Sequence, residues 1–184
     1  SVNLTWPGLP EGHSDARILE MLECLLTDGI SARLHRHIVD GAGLAYGIDA
    51  SAESYHDVGI FEIEVDLAAE KFLRLIHAIV KVLGEVKSEC PSDEEVFKLK
   101  ERSLCDLELL QDDVYGLAEW FGETRLFREP DTFLVSKEKV LATTGAEIQS
   151  MAQRIFDPKK LCLTVIGTVE KSLLDAGVRA AEQI

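Results

Sequence analysis

Apolar residues recur at two different spacings along the chain, and the change of spacing separates its elements. Val2 to Trp6 alternates with polar residues before Pro7-Gly8, which predicts a first strand followed by a turn. From Ser14 the apolar positions follow a helical period instead, and this pattern ends near Asp28-Gly29. The apolar positions of this predicted helix are Ile18, Leu19, Met21, Leu22, Leu25 and Leu26.

A shorter helix is predicted from Ser31 to about Val39, after which the apolar spacing drops to two. The second strand is predicted to begin at Leu44, and its period places Tyr46 on the same side as Leu44 and Ile48. Tyr46 could therefore be a half-buried core side chain or a hydrogen-bond donor to another molecule. The pattern leaves both interpretations open.

The next strand has the clearest alternation in the sequence. From Phe61 to Leu67 apolar residues alternate with Glu62, Glu64 and Asp66, so one face of the sheet should be buried and the other wet. Two adjacent strands followed by many helices predict an α+β fold in two layers. We expect an antiparallel or mixed sheet with helices packed on one face.

Helical spacing returns after these strands and continues through most of the remaining chain. An apolar stripe from Phe72 to Val86 predicts one long helix. Ser92 and Glu95 match a capping box at the start of the next helix, which should run to about Leu110. Both helices are expected to cover the sheet.

The last part of the chain is predicted to contain two more helices, a strand and a terminal helix. Pro130 is expected to end the first of these helical segments. In chain order the elements are a helix from Asp113 through Phe121, a helix with a capping box at Thr144 and Glu147 that stops at Asp157-Pro158, a strand from Leu161 to Ile166 and a helix from about Val169. The predicted order is β-α-α-β-β-α-α-α-α-β-α.

The charge balance excludes two broad classes of partner. The chain carries 33 acids against 19 bases, a formal net charge of −14. A nucleic-acid backbone or an anionic membrane surface is bound by clustered Lys and Arg, so we expect neither partner. No apolar run reaches the roughly 18 residues that cross a bilayer, which predicts a soluble chain without membrane insertion. The compartment stays open between the cytoplasm and, for a bacterial protein, the periplasm.

Length and composition fit one domain over residues 1–184. An apolar content of 46% is ample for one continuous core. The chain begins at Ser1 without a methionine, so we expect a piece or a processed product of a longer protein. Widely spaced cysteines without CxxC spacing predict buried free thiols. They are Cys24, Cys90, Cys105 and Cys162.

The residues taken alone do not match any catalytic or metal centre. A zinc peptidase helix needs two histidines four apart with a glutamate beside one of them, and the five histidines do not provide this spacing. His35 and His37 diverge by about 200° on a helix, which excludes a shared ion there, although on a strand they could cooperate. We expect them to be solvent-facing helical histidines. GxSxG nucleophile motifs and glycine-rich phosphate loops are also absent from the sequence.

A series of longer motifs, in their order along the chain, matches one known family. The segment LLTDGISARLHRHIVDGAGLAYGIDAS resembles the helix, glycine turn, "SSRL" and "RGLAY" of pitrilysin/insulinase-type zinc metallopeptidases. Together the motifs resemble the C-terminal non-zinc domain of this family, which includes mitochondrial processing peptidase, over nearly the whole chain. The other motifs are GIFEIEVDL, SDEEVFKLKERSL, GLAEWFGETRLF and TTGAEIQSMAQRIFDPKKLCLTVIG.

The resemblance implies that this chain is one half of a peptidase. In the family, a zinc-bearing domain and a non-zinc domain of the same fold form a chamber that encloses extended peptides. The present chain would be the substrate-binding half, inactive alone and without a metal of its own. Its implied partners are an N-terminal zinc-bearing domain or partner subunit, which would hold the zinc, and an unfolded peptide substrate.

The resemblance also implies roles for single residues. The non-zinc domain often supplies an Arg and a Tyr seven residues apart, and Tyr46 matches the tyrosine, which would donate its phenolic proton to the oxyanion. Val39 stands at the arginine position, so the pair is broken. Arg36, one turn earlier, is the candidate replacement, whereas Arg33 matches the "SSRL" arginine and is expected to be structural.

The wet face of the sheet completes the predicted site. Glu62 and Glu64 would offer polar contacts to a peptide. An exposed strand edge could also bind the peptide by backbone hydrogen bonds, as an added strand. The alternative is a catalytically dead structural or scaffolding subunit, similar to the core proteins of respiratory complexes that resemble this family. The absence of arginine at Val39 favours that alternative.

Overall fold

The computed structural model describes residues 1–29, 31–127 and 131–184, which form one sheet and a set of helices. The strands are β1 (Val2–Pro7), β2 (Asp49–Ser54), β3 (Gly59–Val65) and β4 (Cys162–Val165). The α-helices are α1 (Ala16–Thr27), α2 (Phe72–Ser88), α3 (Asp93–Leu110), α4 (Val114–Phe127), α5 (Phe133–Ala142), α6 (Gly145–Ile155) and α7 (Lys171–Ala181). A π-helical segment spans His35–Gly41, and short 3-10 turns span Ala69–Lys71 and Pro158–Lys160.

Within the described ranges, the four strands pair antiparallel in the order β2-β3-β1-β4. In the interior of this sheet, Leu4 of β1 pairs with Ile63 of β3 on one side and with Leu163 of β4 on the other. Residues in register share a face, so the apolar side chains of the strands gather on one side. The predicted α+β class, with helices on one face of the sheet, is confirmed.

The buried face of the sheet meets the helices through aromatic rings. Trp6 of β1 and Phe61 of β3 both contact Phe156 edge to face, with ring centroids 5.1 and 5.4 Å apart. The predicted apolar stripe of α2 is buried in the same core. Its members are Phe72, Leu75, Ile76, Ile79, Val82, Leu83 and Val86.

The opposite face of the sheet, which we call the open face, carries polar side chains. Two rows of residues cross the strands there, because the register aligns every second position. The first row is Asp49, Glu64, Asn3 and Thr164, and the second is Ser51, Glu62, Thr5 and Cys162. The alternation from Phe61 to Leu67 therefore predicted the two faces correctly.

Both predicted capping boxes are present. At the start of α3, the N–H of Glu95 donates to Oγ of Ser92, and the N–H of Ser92 donates to the Glu95 carboxylate. Thr144 and Glu147 make the same reciprocal pair at the start of α6. These bonds satisfy backbone amides that have no partner within the helix.

The second strand is shorter than predicted, because the residues from Leu44 onward first form a loop. Gly43 has a φ of 54°, in the left-handed region that favours glycine. Nζ of Lys71 donates to the carbonyl of Gly43 at 2.9 Å, and the N–H of Leu44 donates to the carbonyl of Ile38 at 2.9 Å. The chain becomes extended only at Asp49.

One helix was not predicted, and one predicted boundary is untested. The helix α5 buries Ser136 and Val140, whereas Leu134 and Val135 are exposed, so its apolar residues do not mark its buried side. The predicted helix end at Pro130 lies outside the described residues.

The four cysteines are free thiols, but the prediction that all are buried is wrong. Cys90, Cys105 and Cys162 are exposed, and only Cys24 is half-buried. Cys162 is exposed because it lies on the open face of an edge strand. Burial is the main cause that raises the pKa of Cys24 to about 12, so this thiol stays protonated and unreactive at neutral pH.

Candidate functional site

Tyr46 lies in the middle of the loop that leads into β2, and its side chain is fully exposed, at 102% of the reference area. Leu44 and Ile48, two residues away on either side, are buried at 2% and 7%. Two apolar anchors therefore fix the loop while the ring between them projects into solvent. The interpretation of Tyr46 as a half-buried core side chain is wrong, and a role as hydrogen-bond donor stays a prediction.

The ring of Tyr46 lines an open cleft of about 450 Å³. Three acidic residues share this cleft, namely Asp49 at the start of β2, Glu64 of β3 and Asp66 just beyond it. Among the described residues, none hydrogen-bonds the phenolic hydroxyl of Tyr46. The loop thus presents an unused donor at the border of the acidic open face.

The two glutamates predicted for peptide contact differ in their freedom. The Glu62 carboxylate accepts from Nδ2 of Asn3 at 3.1 Å and from Oγ of Ser51 at 3.4 Å, which fixes it in the second row of the open face. Glu64 is exposed and accepts one long bond, 3.4 Å, from Oγ of Ser1. Glu64 also shares the cleft with Tyr46, so these two predicted site residues come together.

Arg36 lines a different cleft from Tyr46. The cleft of Arg36 has a volume of about 380 Å³ and lies between the π-helical segment, the end of α2 and the start of α3. Glu85, Glu89 and Glu94 line it as well. Val39 packs against the hydrophobic core. The structure therefore does not bring Arg36 into the cleft of Tyr46, and the substrate role of Arg36 stays a prediction.

Arg33 makes the structural contact expected of it. Its guanidinium forms an ion pair with Glu95, and the Arg33 side chain is only 11% exposed. This hydrogen bonding is the main cause that lowers the pKa of Glu95 to about 2. The pair attaches the start of the π-helical segment to the start of α3.

Glu23 and Thr27 of α1 are functional candidates that the sequence did not reveal. The N–H of Ala50 donates to Oγ1 of Thr27 at 3.2 Å, and the N–H of Ala52 donates to Oε2 of Glu23 at 3.2 Å. Burial raises the pKa of Glu23 to about 7, against the opposing effect of the Ala52 hydrogen bond. In the sequence, Glu23 and Thr27 are four residues apart, which places them on the same side of α1. The sequence does not show, however, that this side of α1 meets β2.

The fold and this site define a class: an α+β domain whose open sheet face is polar and borders an exposed tyrosine. The profile of one family, described as peptidase M16 inactive domain, matches residues 1–103. The chain belongs to this family of inactive peptidase domains, as the sequence resemblance predicted.

Two known proteins with similar sequences carry the description "uncharacterized zinc protease". The protein from Rickettsia bellii is 28% identical over 143 residues, which cover 74% of this chain. The protein from Rickettsia felis is 29% identical over 104 residues, which cover 56% of this chain. The matched regions span 33% and 25% of the length of these relatives.

Solved structures share the fold over most of the chain. A protease from Helicobacter pylori superposes with a TM-score of 0.79 at 20% identity, covering 88% of this chain and 39% of that one. A peptidase M16 inactive domain from Pseudomonas fluorescens has a TM-score of 0.75 at 18% identity, covering 91% and 42%. A chain of Complex III2 from Candida albicans, with Inz-5 bound, has a TM-score of 0.81 at 15% identity, covering 99% and 46%.

The described residues do not bring together a zinc-binding group. Within residues 1–29, 31–127 and 131–184, no three His, Cys, Asp or Glu side chains are grouped so that they could hold a metal. His35 and His37 do not share a partner, and Nδ1 of His35 is buried without a hydrogen bond among the described residues. Nδ1 of His35 lies 3.7 Å from Asp40, and Nδ1 of His37 lies 2.9 Å from the carbonyl of Arg33.

One property of the helices bears on location. In the described part of the chain, each helix is too short or too polar to cross a lipid bilayer.

Proposed function

We propose that this chain is the substrate-binding half of a zinc-dependent metalloendopeptidase. It would enclose an unfolded peptide together with a separate zinc-bearing domain, on the same chain or in a partner subunit. The observation that carries the proposal is the full exposure of Tyr46 beside Glu64, in a chain that belongs to the inactive-domain family. The zinc protease relatives extend well beyond the matched region, which leaves room for such a domain.

The open face suits a wall of the chamber. Its side chains are polar and include Asp49, Glu62 and Glu64, and the whole chain has a net charge of −14. A surface of one charge sign attracts ligands of the opposite sign and raises their rate of encounter. We therefore expect unfolded peptides with Lys or Arg near the cleaved bond to be favoured.

Tyr46 would act as a donor to the oxyanion that develops on the peptide carbonyl. Such a donor must be positioned before the reaction and needs no other chemistry. The buried anchors Leu44 and Ile48 hold the loop, and the hydroxyl has no partner in the described chain that it must first release. Peptide and zinc-bearing domain would approach Tyr46 from the cleft that Glu64 lines.

The proposal is tested by zinc-dependent cleavage of an unfolded peptide. The complete assembly, with its zinc-bearing domain, is compared with the same assembly carrying Tyr46→Phe. We expect kcat/KM to fall at least tenfold, which is about 1.4 kcal/mol of transition-state stabilisation. Thermal unfolding should be unchanged, because the hydroxyl makes no contact within the described chain.

Tyr115→Phe is the matched control. Tyr115 is also highly exposed, at 84%, but it lies on α4, away from the residues that line the Tyr46 cleft. Its loss should leave cleavage unchanged. Equal rates for Tyr46→Phe and the unmodified assembly would contradict the donor role, and an assembly without zinc-dependent cleavage would contradict the proposed function as a whole.

The second candidate is a scaffolding subunit without peptidase activity. Val39 favours it, since a valine at the arginine position removes half of the pair that the family resemblance implies. The structural likeness to a chain of Complex III2 is consistent with it, although it shows the fold alone. A partner domain that lacks a zinc motif and an assembly that never cleaves peptide would support this candidate.

A further inference from the structure

The two edges of the sheet are not equivalent. At the β2 edge, residues 49, 51 and 53 face β3, so the N–H groups of Ala50 and Ala52 point outward. These two donors already have partners, because Thr27 and Glu23 of α1 accept from them, whereas the N–H of Ser54, the last residue of the strand, has no such contact with α1 in the described chain. Oγ1 of Thr27 also lies 3.5 Å from the carbonyl of Ala50. The helix α1 therefore blocks an added strand at Ala50 and Ala52.

At the β4 edge, the outward backbone groups make no hydrogen bond with any described residue. Ser1 and Ile166 exchange two backbone hydrogen bonds of 2.9 Å, which sets the phase of the ladder between β1 and β4. By the alternation of an antiparallel pair, Thr164 also bonds to β1, whereas the N–H and C=O of Leu163 and Val165 point away from it. In the described residues, β1 is the only strand beside β4.

A notch of about 260 Å³, with polar and apolar groups in its wall, adjoins this edge. Val165 of β4 lines it, together with Leu67, Phe72 and Val169. Ile166, also in its wall, is 70% exposed. Residues alternate between the two faces of a strand, so a strand added beside β4 would direct every second side chain to the side of this notch.

We propose that the β4 edge and its notch bind an extended peptide by strand addition, with an aliphatic residue of the peptide in the notch. Main-chain bonds to Leu163 and Val165 would supply affinity, and the notch would supply selectivity at alternate positions. A second copy of this chain is a poorer occupant, because each copy brings a net charge of −14. This inference rests on the proposed function, since it specifies where the substrate-binding half holds its peptide.

The test measures amide hydrogen exchange of the complete assembly, with its zinc-bearing domain inactivated so that the peptide survives. The probe is an eight-residue peptide with leucine at alternate positions and lysine between them. We expect slower exchange in residues 161–167 when the peptide binds, and no change in residues 49–54. Methylating the peptide amides in one alternate register should weaken binding at least tenfold, and methylating the other register should not.

A variant supplies an independent arm. Leu163→Pro removes an N–H that points away from β1, so no ladder bond is lost, and an edge strand tolerates proline at such a position. We expect the Kd for the probe peptide to rise at least tenfold while the unfolding temperature stays close to that of the unmodified assembly. Replacing the leucines of the peptide with aspartate should also weaken binding, because a charge does not fit against the apolar side of the notch, formed by Leu67, Phe72, Val165 and Val169.

The possible results distinguish peptide binding at the β4 edge from its alternatives. Protection of residues 49–54 instead, or an unchanged Kd with Leu163→Pro, would overturn the inference. Protection of 161–167 without peptide that grows with protein concentration would indicate pairing of two copies and would also overturn it. If Tyr46→Phe still lowers cleavage while Leu163→Pro has no effect, the edge inference fails and the proposed function stands.

Discussion

Arg33 and Glu95 form a two-point ion pair between segments that are 62 residues apart. Nε of Arg33 donates to Oε1 at 2.9 Å, and its terminal nitrogen donates to Oε2 at 3.0 Å. The same carboxylate accepts from the N–H and the Oγ of Ser92. One side chain thus completes a helix cap and holds the segment before Tyr46 to α3.

Removing the arginine should destabilise the fold and leave a clear pH signature. Arg33→Met keeps the aliphatic volume but leaves Glu95 unpaired, so we expect a loss of about 1 to 3 kcal/mol in the free energy of unfolding at pH 7. The pKa of Glu95 lies at about 2, below its ordinary 4.5. The contribution is therefore present above pH 4.5 and is lost as the pH falls toward 2.

The measurement is urea unfolding at pH 7 and at pH 3. The two proteins should differ less at pH 3, because Glu95 is then protonated in the unfolded chain and must lose that proton to form the pair on folding. Lys98→Met is the control, since the pair of Lys98 with Glu94 is solvent-exposed and should matter little. A difference that is the same at both pH values would contradict the role of this pair.

Glu23 should make stability depend on pH in the opposite direction. Its pKa in the folded chain is about 7, raised from 4.5 mainly by burial. The folded state therefore binds the proton more tightly, and stability falls as the pH rises from 4.5 through 7. Glu23→Gln keeps an oxygen that accepts from Ala52 but cannot ionise. We expect it to be more stable than the unmodified chain by about 1 kcal/mol at pH 8, after allowance for solvent screening.

Thermal unfolding between pH 4.5 and pH 8 checks this prediction. The Glu23→Gln advantage should shrink to a few tenths of a kcal/mol or less (~RT ln 2) at pH 4.5, where Glu23 is protonated in the folded state and about half protonated in the unfolded state. Glu101→Gln, at an exposed position of α3, should show no such pH-dependent gain. A Glu23→Gln chain that is equally stable or less stable at pH 8 would show that the carboxylate is not destabilised by burial.

The same substitution should have opposite effects in two helices. A Cβ on Gly177 of α7 would lie 2.5 Å from the ring of Phe72, which is buried in α2. A Cβ on Gly84 of α2 would meet nothing within 4 Å. Gly84→Ala should therefore gain up to about 1 kcal/mol of helix propensity. Gly177→Ala should lose about 1 to 3 kcal/mol, because the ring must shift in a packed core.

Urea unfolding of the two variants gives the comparison directly. The helix propensity gained is the same in both, so the difference between them measures the packing of α7 on α2. Equal gains in both variants would mean that Phe72 can move at no cost.

Arg36 should affect long substrates only. Its cleft is lined by residues of α2 and α3 and is separate from the cleft of Tyr46, so a peptide must be long enough to occupy both. Arg36→Ala should raise KM several-fold for an unfolded protein and leave a peptide of about six residues unaffected. Steady-state cleavage of both substrates by the complete assembly measures this. An equal effect on both would place Arg36 near the reacting bond instead.

Local patterns predicted the layers of the fold because burial on one side imposes a period on the sequence. The alternation from Phe61 to Leu67 and the stripe of α2 are examples. The same reasoning failed for Tyr46, because a loop interrupts the predicted second strand there. This loop depends on Gly43 and on the hydrogen bond that Lys71 donates to its carbonyl. The alternation of apolar and polar residues continues in the sequence around Tyr46, but the backbone there forms a loop and not a strand.

The site was less predictable, because its geometry depends on contacts between distant segments. No local pattern indicates that Glu23 and Thr27 meet β2, or that Arg36 and Tyr46 face different clefts. The helix α5 escaped prediction for a related reason. Its buried side includes Ser136, so hydrophobicity alone did not mark it.

The closure of β2 by Glu23 and Thr27 limits how such sheets can grow by edge-to-edge contact. At an exposed strand edge, further chains can pair one after another, as they do in fibrils, and proteins commonly block such edges. With the N–H groups of Ala50 and Ala52 already bonded to α1, a further chain cannot pair with this part of β2 through them. The contacts of α1 thereby hinder this part of the sheet edge from pairing with a second copy of the chain.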